Sequence, residues 1–162
     1  MALSRERASD RSALVACIAV CELAGLVPGY LTREDITDWY RTLEKPERTP
    51  PGWVFGPVWT TLYLLMGVAS YLVRQEADDG DGRAVGLFVL QLTLNAVWSL
   101  VFFGRRTPLG GVVVIAFLLP AVALTTVAFY RVDRRAGLLL VPYLLWTAFA
   151  TTLNFDVWRL NK

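Results

Sequence analysis

Residues 107–130, TPLGGVVVIAFLLPAVALTTVAFY, contain no charged side chain. A bilayer core about 30 Å thick is crossed by about 20 helical residues, so this stretch is long enough to span one. Four more stretches share its character, 13–31, 52–73, 84–104 and 136–155, and Glu22 is the only charged residue in any of the five. The 162-residue chain is 55% hydrophobic, and the rest of its 16 Lys and Arg and 14 Asp and Glu fall in connections and tails. Lipid imposes that partition, because an ionised side chain at mid-bilayer costs about 2.5 kcal/mol or more. The expected fold is an all-α membrane protein, a five-transmembrane-helix bundle forming a single domain over 13–158. An N-terminal tail (1–12), a C-terminal tail (159–162) and a lid loop (32–51) with a short amphipathic helix complete it. The expected location is integral to a membrane, multi-pass and in contact with lipid.

Composition removes several functions. The chain has no histidine, so it has no histidine triad, no histidine metal site and no histidine ligand for haem. No metal site and no required cofactor are expected. Its lysines, Lys45 and Lys162, lie outside the spans, which excludes a Schiff base within the bundle. A net charge of +2, spread over the loops, does not suit nucleic acid. Cys17 and Cys21 lie one turn apart in the first span and are expected to pack as small apolar residues. The basic start and Leu14-Val15-Ala16-Cys17 resemble a signal with a lipoprotein box, yet too few apolar residues precede that box, and the first span is expected to be a retained helix. Lys and Arg divide eight to eight between the two sides of the membrane, so the positive-inside rule assigns no orientation.

The long first connection has two parts. Thr32 and Asp35 stand at capping-box spacing, with Ile36, Trp39, Tyr40 and Leu43 following at helical intervals, which predicts an amphipathic helix. The run Lys45-Pro46-Glu47-Arg48-Thr49-Pro50-Pro51 then predicts a stiff extended arm. The second connection, 78–82, is acidic and glycine-rich and reads as a surface turn. The third and fourth are so short that their flanking helices must be antiparallel neighbours. No internal repeat is visible, which argues against a duplicated transporter fold.

Some residues inside the spans are not explained by lipid. Trp53 and Trp158, near span ends, suit the membrane interface. Trp98 and Trp146 lie too deep for that, leaving interhelical packing or the wall of a cavity for a flat apolar ligand. Gln91, Asn95, Trp98 and Phe102 share one helix face, and amides facing lipid would be unsatisfied, so this face points into protein, ligand or trapped water. Trp146, Phe149, Ala150 and Leu153, with Asn154 beside them, form a similar face, as do Trp59, Tyr63 and Ser70. Pro57, Pro120 and Pro142 can bend their helices and open gaps. Glu22 is a candidate functional intramembrane acid, though one acid makes no proton relay, which favours a structural or ligand-facing role over transport chemistry. Gly25 with Gly29, and Gly52 with Gly56, fit the small-xxx-small pattern of close helix approach.

Trp39-Tyr40, Lys45-Pro46, Pro50-Pro51-Gly52-Trp53-Val54-Phe55, Pro57-Val58-Trp59-Thr60, and Gln91-Leu92 with Asn95, Trp98 and Phe102-Phe103-Gly104 together resemble the tryptophan-rich sensory protein or translocator protein family. The fifth span resembles it most closely, through Pro142-Tyr143-Leu144, Trp146, Ala148-Phe149-Ala150-Thr151-Thr152-Leu153-Asn154 and Val157-Trp158-Arg159. The resemblance implies a five-helix bundle that binds porphyrins such as protoporphyrin and, in some members, sterols and benzodiazepine-type or isoquinoline drugs. It places Trp39 and Tyr40 on a lid, Trp53 and Phe55 at the mouth, Asn95 and Trp98 on the third span, and Trp146 and Ala150 on the fifth. With the faces noted above, the candidate binding residues are these eight with Gln91 and Phe149. The ring is expected to stack among Trp53, Trp98 and Trp146, the amides of Gln91 and Asn95 to orient it, and its acidic groups to meet Arg41, Arg48 or water near the lid. Two departures stand out: Arg48 replaces an aromatic residue of the family, and Phe155 replaces the tyrosine of the sterol-associated motif, which weakens the case for sterol.

Three functions follow. One is a receptor or sensor for tetrapyrroles, with porphyrin as ligand rather than cofactor. The second is light- and oxygen-dependent porphyrin degradation, for which the resemblance points to Trp39 and Trp146 and no acid–base catalyst is available. The third is facilitated translocation of tetrapyrroles or sterols. The partners expected are a flat apolar small molecule, membrane lipids and, as a homodimer, a second copy of the chain.

Overall fold

The computed structural model describes residues 2–76 and 82–162, with side chains from residue 10 onward. The expected 78–82 turn lies almost wholly outside the described residues. The elements are α1 (Ala2–Leu31), α2 (Arg33–Thr37), α3 (Trp39–Thr42), α4 (Gly52–Glu76), α5 (Gly82–Ser99) with a π-helical segment (Leu100–Gly104), α6 (Pro108–Val132) and α7 (Arg134–Leu160). Five of them, α1, α4, α5 with its π-helical segment, α6 and α7, are long and apolar enough to cross a membrane. The first helix begins at Ala2, so most of the stretch expected as an N-terminal tail is helical and continuous with α1, while the apolar span itself runs from Asp10 to Leu31.

Local chemistry sets the helix ends. Pro108 opens α6, where its missing N–H is not needed. Asp133 caps α7 by accepting from the Arg135 and Ala136 amides at 2.6 and 3.4 Å. Pro28, Pro57, Pro120 and Pro142 all lie within helices that run on through them. The helices close a ring in the order α1, α4, α7, α6, α5 and back to α1.

That ring is solid at one end only. Met66, Ala69 and Val73 of α4 meet Ala84 and Phe88 of α5, Ile115 to Phe129 of α6 and the start of α7 in a continuous core, with Phe88 stacked on Phe129 at 5.3 Å. At the other end, beneath α2 and α3, the interior is hollow. Close approach of α1 to α4 depends on Gly25 and Gly67: a Cβ there would lie 2.0 Å from the Tyr63 ring and 2.5 Å from the Ile18 Cα respectively. Gly29, Gly52 and Gly56 have nothing within 4 Å of such an atom. Of the four glycines expected at helix contacts, only Gly25 is at one; the other three border open space.

The lid differs from its expected form. Its amphipathic helix is broken into two short pieces at Asp38, whose N–H closes α2 on the Glu34 carbonyl at 2.9 Å. The expected capping box does not form. The Thr32 hydroxyl instead donates to the Pro28 carbonyl at 2.9 Å, a bond available because Thr32 continues the last turn of α1. Asp35 turns away to pair with Arg106 at 2.8 Å. The proline arm contains no helix, but it bends at Glu47-Arg48, where the Thr49 N–H reaches the Pro46 carbonyl at 2.9 Å.

Candidate functional site

A cavity of about 980 Å³ lies between α1, α4, α5 and α7 under the lid. It is at the upper end of the roughly 300–1,000 Å³ typical of small-molecule sites. Its position follows from the antiparallel packing, which brings the start of α4 and the ends of α1, α5 and α7 to one side of the bundle. The wall is aromatic. Trp59 stacks on Tyr63 with ring centres 5.6 Å apart and lies 6.3 Å from Trp98, which stacks on Phe102 at 5.7 Å. Phe55 meets Trp146 edge-on at 5.9 Å. The π-helical segment makes a wider turn where Phe102 and Phe103 enter the wall, a type of irregularity frequent at functional sites.

Several polar atoms in this wall are engaged with one another, whereas the buried Thr49 hydroxyl, also in the lining, has no partner among the described residues. The Tyr63 hydroxyl donates to the Asn95 side-chain oxygen, and the Asn95 amide nitrogen donates to the Tyr143 hydroxyl at 3.1 Å, joining α4, α5 and α7. The Trp98 indole N–H donates to the Asn154 side-chain oxygen at 3.2 Å, and the Asn154 amide donates to the Ala150 carbonyl at 3.1 Å. Asn95 therefore shapes the cavity with both ends of its amide occupied, rather than holding them out to a ligand.

Of the expected contact residues, Tyr40, Phe55, Asn95, Trp98, Trp146 and Ala150 line the cavity, and Glu22 does so as well. Four do not. Trp39 stands behind the wall, edge-on to Phe102 at 5.9 Å. Trp53 points out of the bundle at 77% exposure, as an interfacial anchor would. Gln91 sits one turn beyond Asn95, inside the solid end, with its amide nitrogen 3.8 Å from the Met66 sulfur and its oxygen unpartnered. Phe149 packs on Trp146 at 5.7 Å without reaching the space. Trp59 and Tyr63 were noted in the sequence as a shared face but not as contact residues. Their distance from Trp98 in the chain conceals that the two faces oppose each other.

The charged groups also differ from expectation. Arg48, expected to meet a ligand's acidic groups, pairs with Asp156. Arg33, Arg41 and Lys45 are the basic residues that border the cavity at the lid. Lys45 donates to the Leu43 carbonyl at 2.8 Å, with its nitrogen 4.8 Å from the centre of the Tyr40 ring. Partial burial lowers the Lys45 pKa from its ordinary value and raises that of Tyr40.

The lid is clasped to the bundle at three points. Arg106 holds Asp35, Asp156 holds Arg48, and the Asn161 side chain accepts from the Glu44 N–H at 3.0 Å while donating to the Glu44 carbonyl at 2.9 Å.

A sequence profile of the TspO/MBR family matches residues 17–159. The tryptophan-rich protein TspO of Archaeoglobus fulgidus is 43% identical over 148 residues, covering 91% of this chain and 96% of its own. The human translocator protein is 49% identical over 126 residues, covering 76% and 75%. The tryptophan-rich sensory protein of Cereibacter sphaeroides is 40% identical over 152 residues, covering 94% and 93%. With five helices able to span a bilayer and these relatives, the chain is an integral, multi-pass membrane protein.

Proposed function

The chain belongs to the TspO/MBR family, and on that premise we propose that it is a membrane receptor or sensor whose ligand is a porphyrin of the protoporphyrin kind. The observation that carries this reading is the cavity itself: broad aromatic walls below and Arg33, Arg41 and Lys45 at the lid. A flat apolar ring gains contact area and stacking from Trp59, Trp98 and Trp146. Its carboxylates meet the bases at the mouth, where burial is least and water remains accessible. The name of the Cereibacter sphaeroides relative, a sensory protein, accords with such a role.

Recognition by stacking and carboxylate pairing uses no iron ligand, so metal-free protoporphyrin is expected to bind at least as tightly as haem. Titration of the purified protein, followed by tryptophan quenching, tests the reading. Saturable quenching in the wild type, weakened by Trp59→Phe with Trp146→Phe, is the expected result. Quenching that does not saturate, or that the double variant leaves unchanged, removes the assignment. The same samples under light report degradation as protein-dependent loss of the porphyrin bands. The geometry favours binding over degradation, since Trp146 borders the cavity and Trp39 is screened by Phe102.

A further inference from the structure

Glu22 is the part of the cavity for which an acidic ligand provides no use. It is the one acidic side chain in the lining, and it has neither an ion pair nor a hydrogen bond among the described residues. Its place is set by helix geometry: Glu22, Gly25, Leu26 and Gly29 stand at i, i+3, i+4 and i+7 on α1, and all border the space. Nine residues, about 14 Å of helix, separate Glu22 from the end of α1 at Leu31; Arg33 lies beyond that, in α2, with its guanidinium 3.8 Å from Glu34. The cavity therefore has opposite polarity at its two ends, basic under the lid and acidic at depth.

Aromatic rings accompany the acid. Gly25, three residues along, is held against the Tyr63 ring, so that ring reaches α1 within one turn of Glu22. Trp59 stacks on Tyr63 and both line the cavity. Glu22 lies within a segment able to cross the membrane, where a carboxylate without a partner is costly, and a cation is the group that relieves it. Aromatic faces attract the same kind of group through their quadrupoles. Both features select one chemistry, a positively charged nitrogen carried on an apolar body that the remaining walls can bury.

We propose that the deep end of the cavity is a subsite for lipophilic ammonium ligands, with the ammonium paired to Glu22 beside Trp59 and Tyr63. This assignment does not rest on the porphyrin reading, which concerns the aromatic span and the lid bases. The two can fail separately.

The test uses the full chain in a neutral detergent at one pH and a matched pair of probes: a naphthylalkyl trimethylammonium, and the same molecule with an uncharged tert-butyl group in place of the trimethylammonium. Shape and apolar area are nearly equal in the pair, so the ratio of their affinities isolates the charge. Wild-type protein is expected to prefer the ammonium by about tenfold or more. Glu22→Gln is expected to reduce that ratio severalfold, leaving only what the aromatic faces contribute, and Glu22→Asp to retain more of it. Equal binding of the two probes by the wild type overturns the proposal, and this comparison stands even if a variant fails to fold. An undiminished preference in folded Glu22→Gln overturns it as well. A parallel protoporphyrin titration of the wild type keeps the outcomes apart: loss of porphyrin binding with a preserved ammonium preference rejects only the receptor reading.

Discussion

At the scale of single residues, contact distances distinguish glycines that look alike in the sequence. Gly67 faces the Ile18 Cα at 2.5 Å from an added Cβ, a backbone atom that moves only if α1 moves. Gly67→Ala is therefore expected to destabilise the bundle by about 1–3 kcal/mol. Gly86→Ala, where nothing lies within 4 Å, is expected to be neutral or to gain about 0.5–1 kcal/mol from helix propensity. Thermal unfolding in detergent checks both, and similar melting temperatures for the two variants would refute the packing assigned to Gly67. The sequence pattern could not separate them, because spacing identifies a face without showing what lies against it. Arg106 shows the same limit. It has a φ of 52°, the one positive value in a non-glycine residue of the described chain, while its guanidinium holds Asp35. For an L-residue this conformation costs about 1–2 kcal/mol. Arg106→Gly and Arg106→Ala both lose the ion pair, but only glycine relieves the backbone, so the glycine variant should melt above the alanine variant by a corresponding margin.

At the scale of elements, the five long helices were legible because length and absence of charge are properties of each segment alone. The lid was less so. Its helix was expected from spacing, yet its true form depends on partners far away in the chain, Arg106, Asp156 and Asn161, which draw off Asp35, Arg48 and Glu44. The π-helical segment over Leu100–Gly104 left no sequence signal that we recognise. Lid closure has a predictable pH dependence. Burial lowers the Lys45 pKa, so the closed lid binds fewer protons than the open one between that lowered value and the ordinary 10.5. Closure therefore strengthens as pH rises through this window. Tyr40 acts in the opposite sense above 10.0, because its raised pKa keeps the closed form protonated while the open form ionises. Competitive acetylation against free Nα-acetyl-lysine reads the first effect directly. Lys45 is expected to titrate below the free standard, and coincidence of the two curves would show that the lid does not desolvate it.

At the scale of the whole molecule, the division into a solid end and a hollow end decides what a binding site can cost. Ligand cavities usually trade stability for space, since unfilled volume forfeits packing. Here most of the continuous core over α4 to α7 lies beyond the hollow and meets it through Tyr63, with Trp59 and Trp98 packed against it, so changes at cavity positions that touch no core side chain should affect binding without affecting the fold. The sequence indicated that tryptophans and amides lie inside, but it could not assign Asn95 to the wall and Gln91 to the solid core, because one turn separates them and both present an amide on the same face. Gly56 offers the means to test the separation. It borders the cavity, it lies in the first turns of α4, and an added Cβ meets nothing within 4 Å. Gly56→Phe should therefore place a ring in the hollow without displacing a helix. Protoporphyrin affinity is expected to fall at least about tenfold, equivalent to about 1.4 kcal/mol. The melting temperature should be unchanged or slightly raised by the better helix former. If the variant melts well below the wild type, the two ends are mechanically coupled, and the core must extend into the space assigned to ligand. If it melts normally and binds normally, the porphyrin sits elsewhere, and the aromatic walls around Trp59 and Trp98 serve the bundle alone.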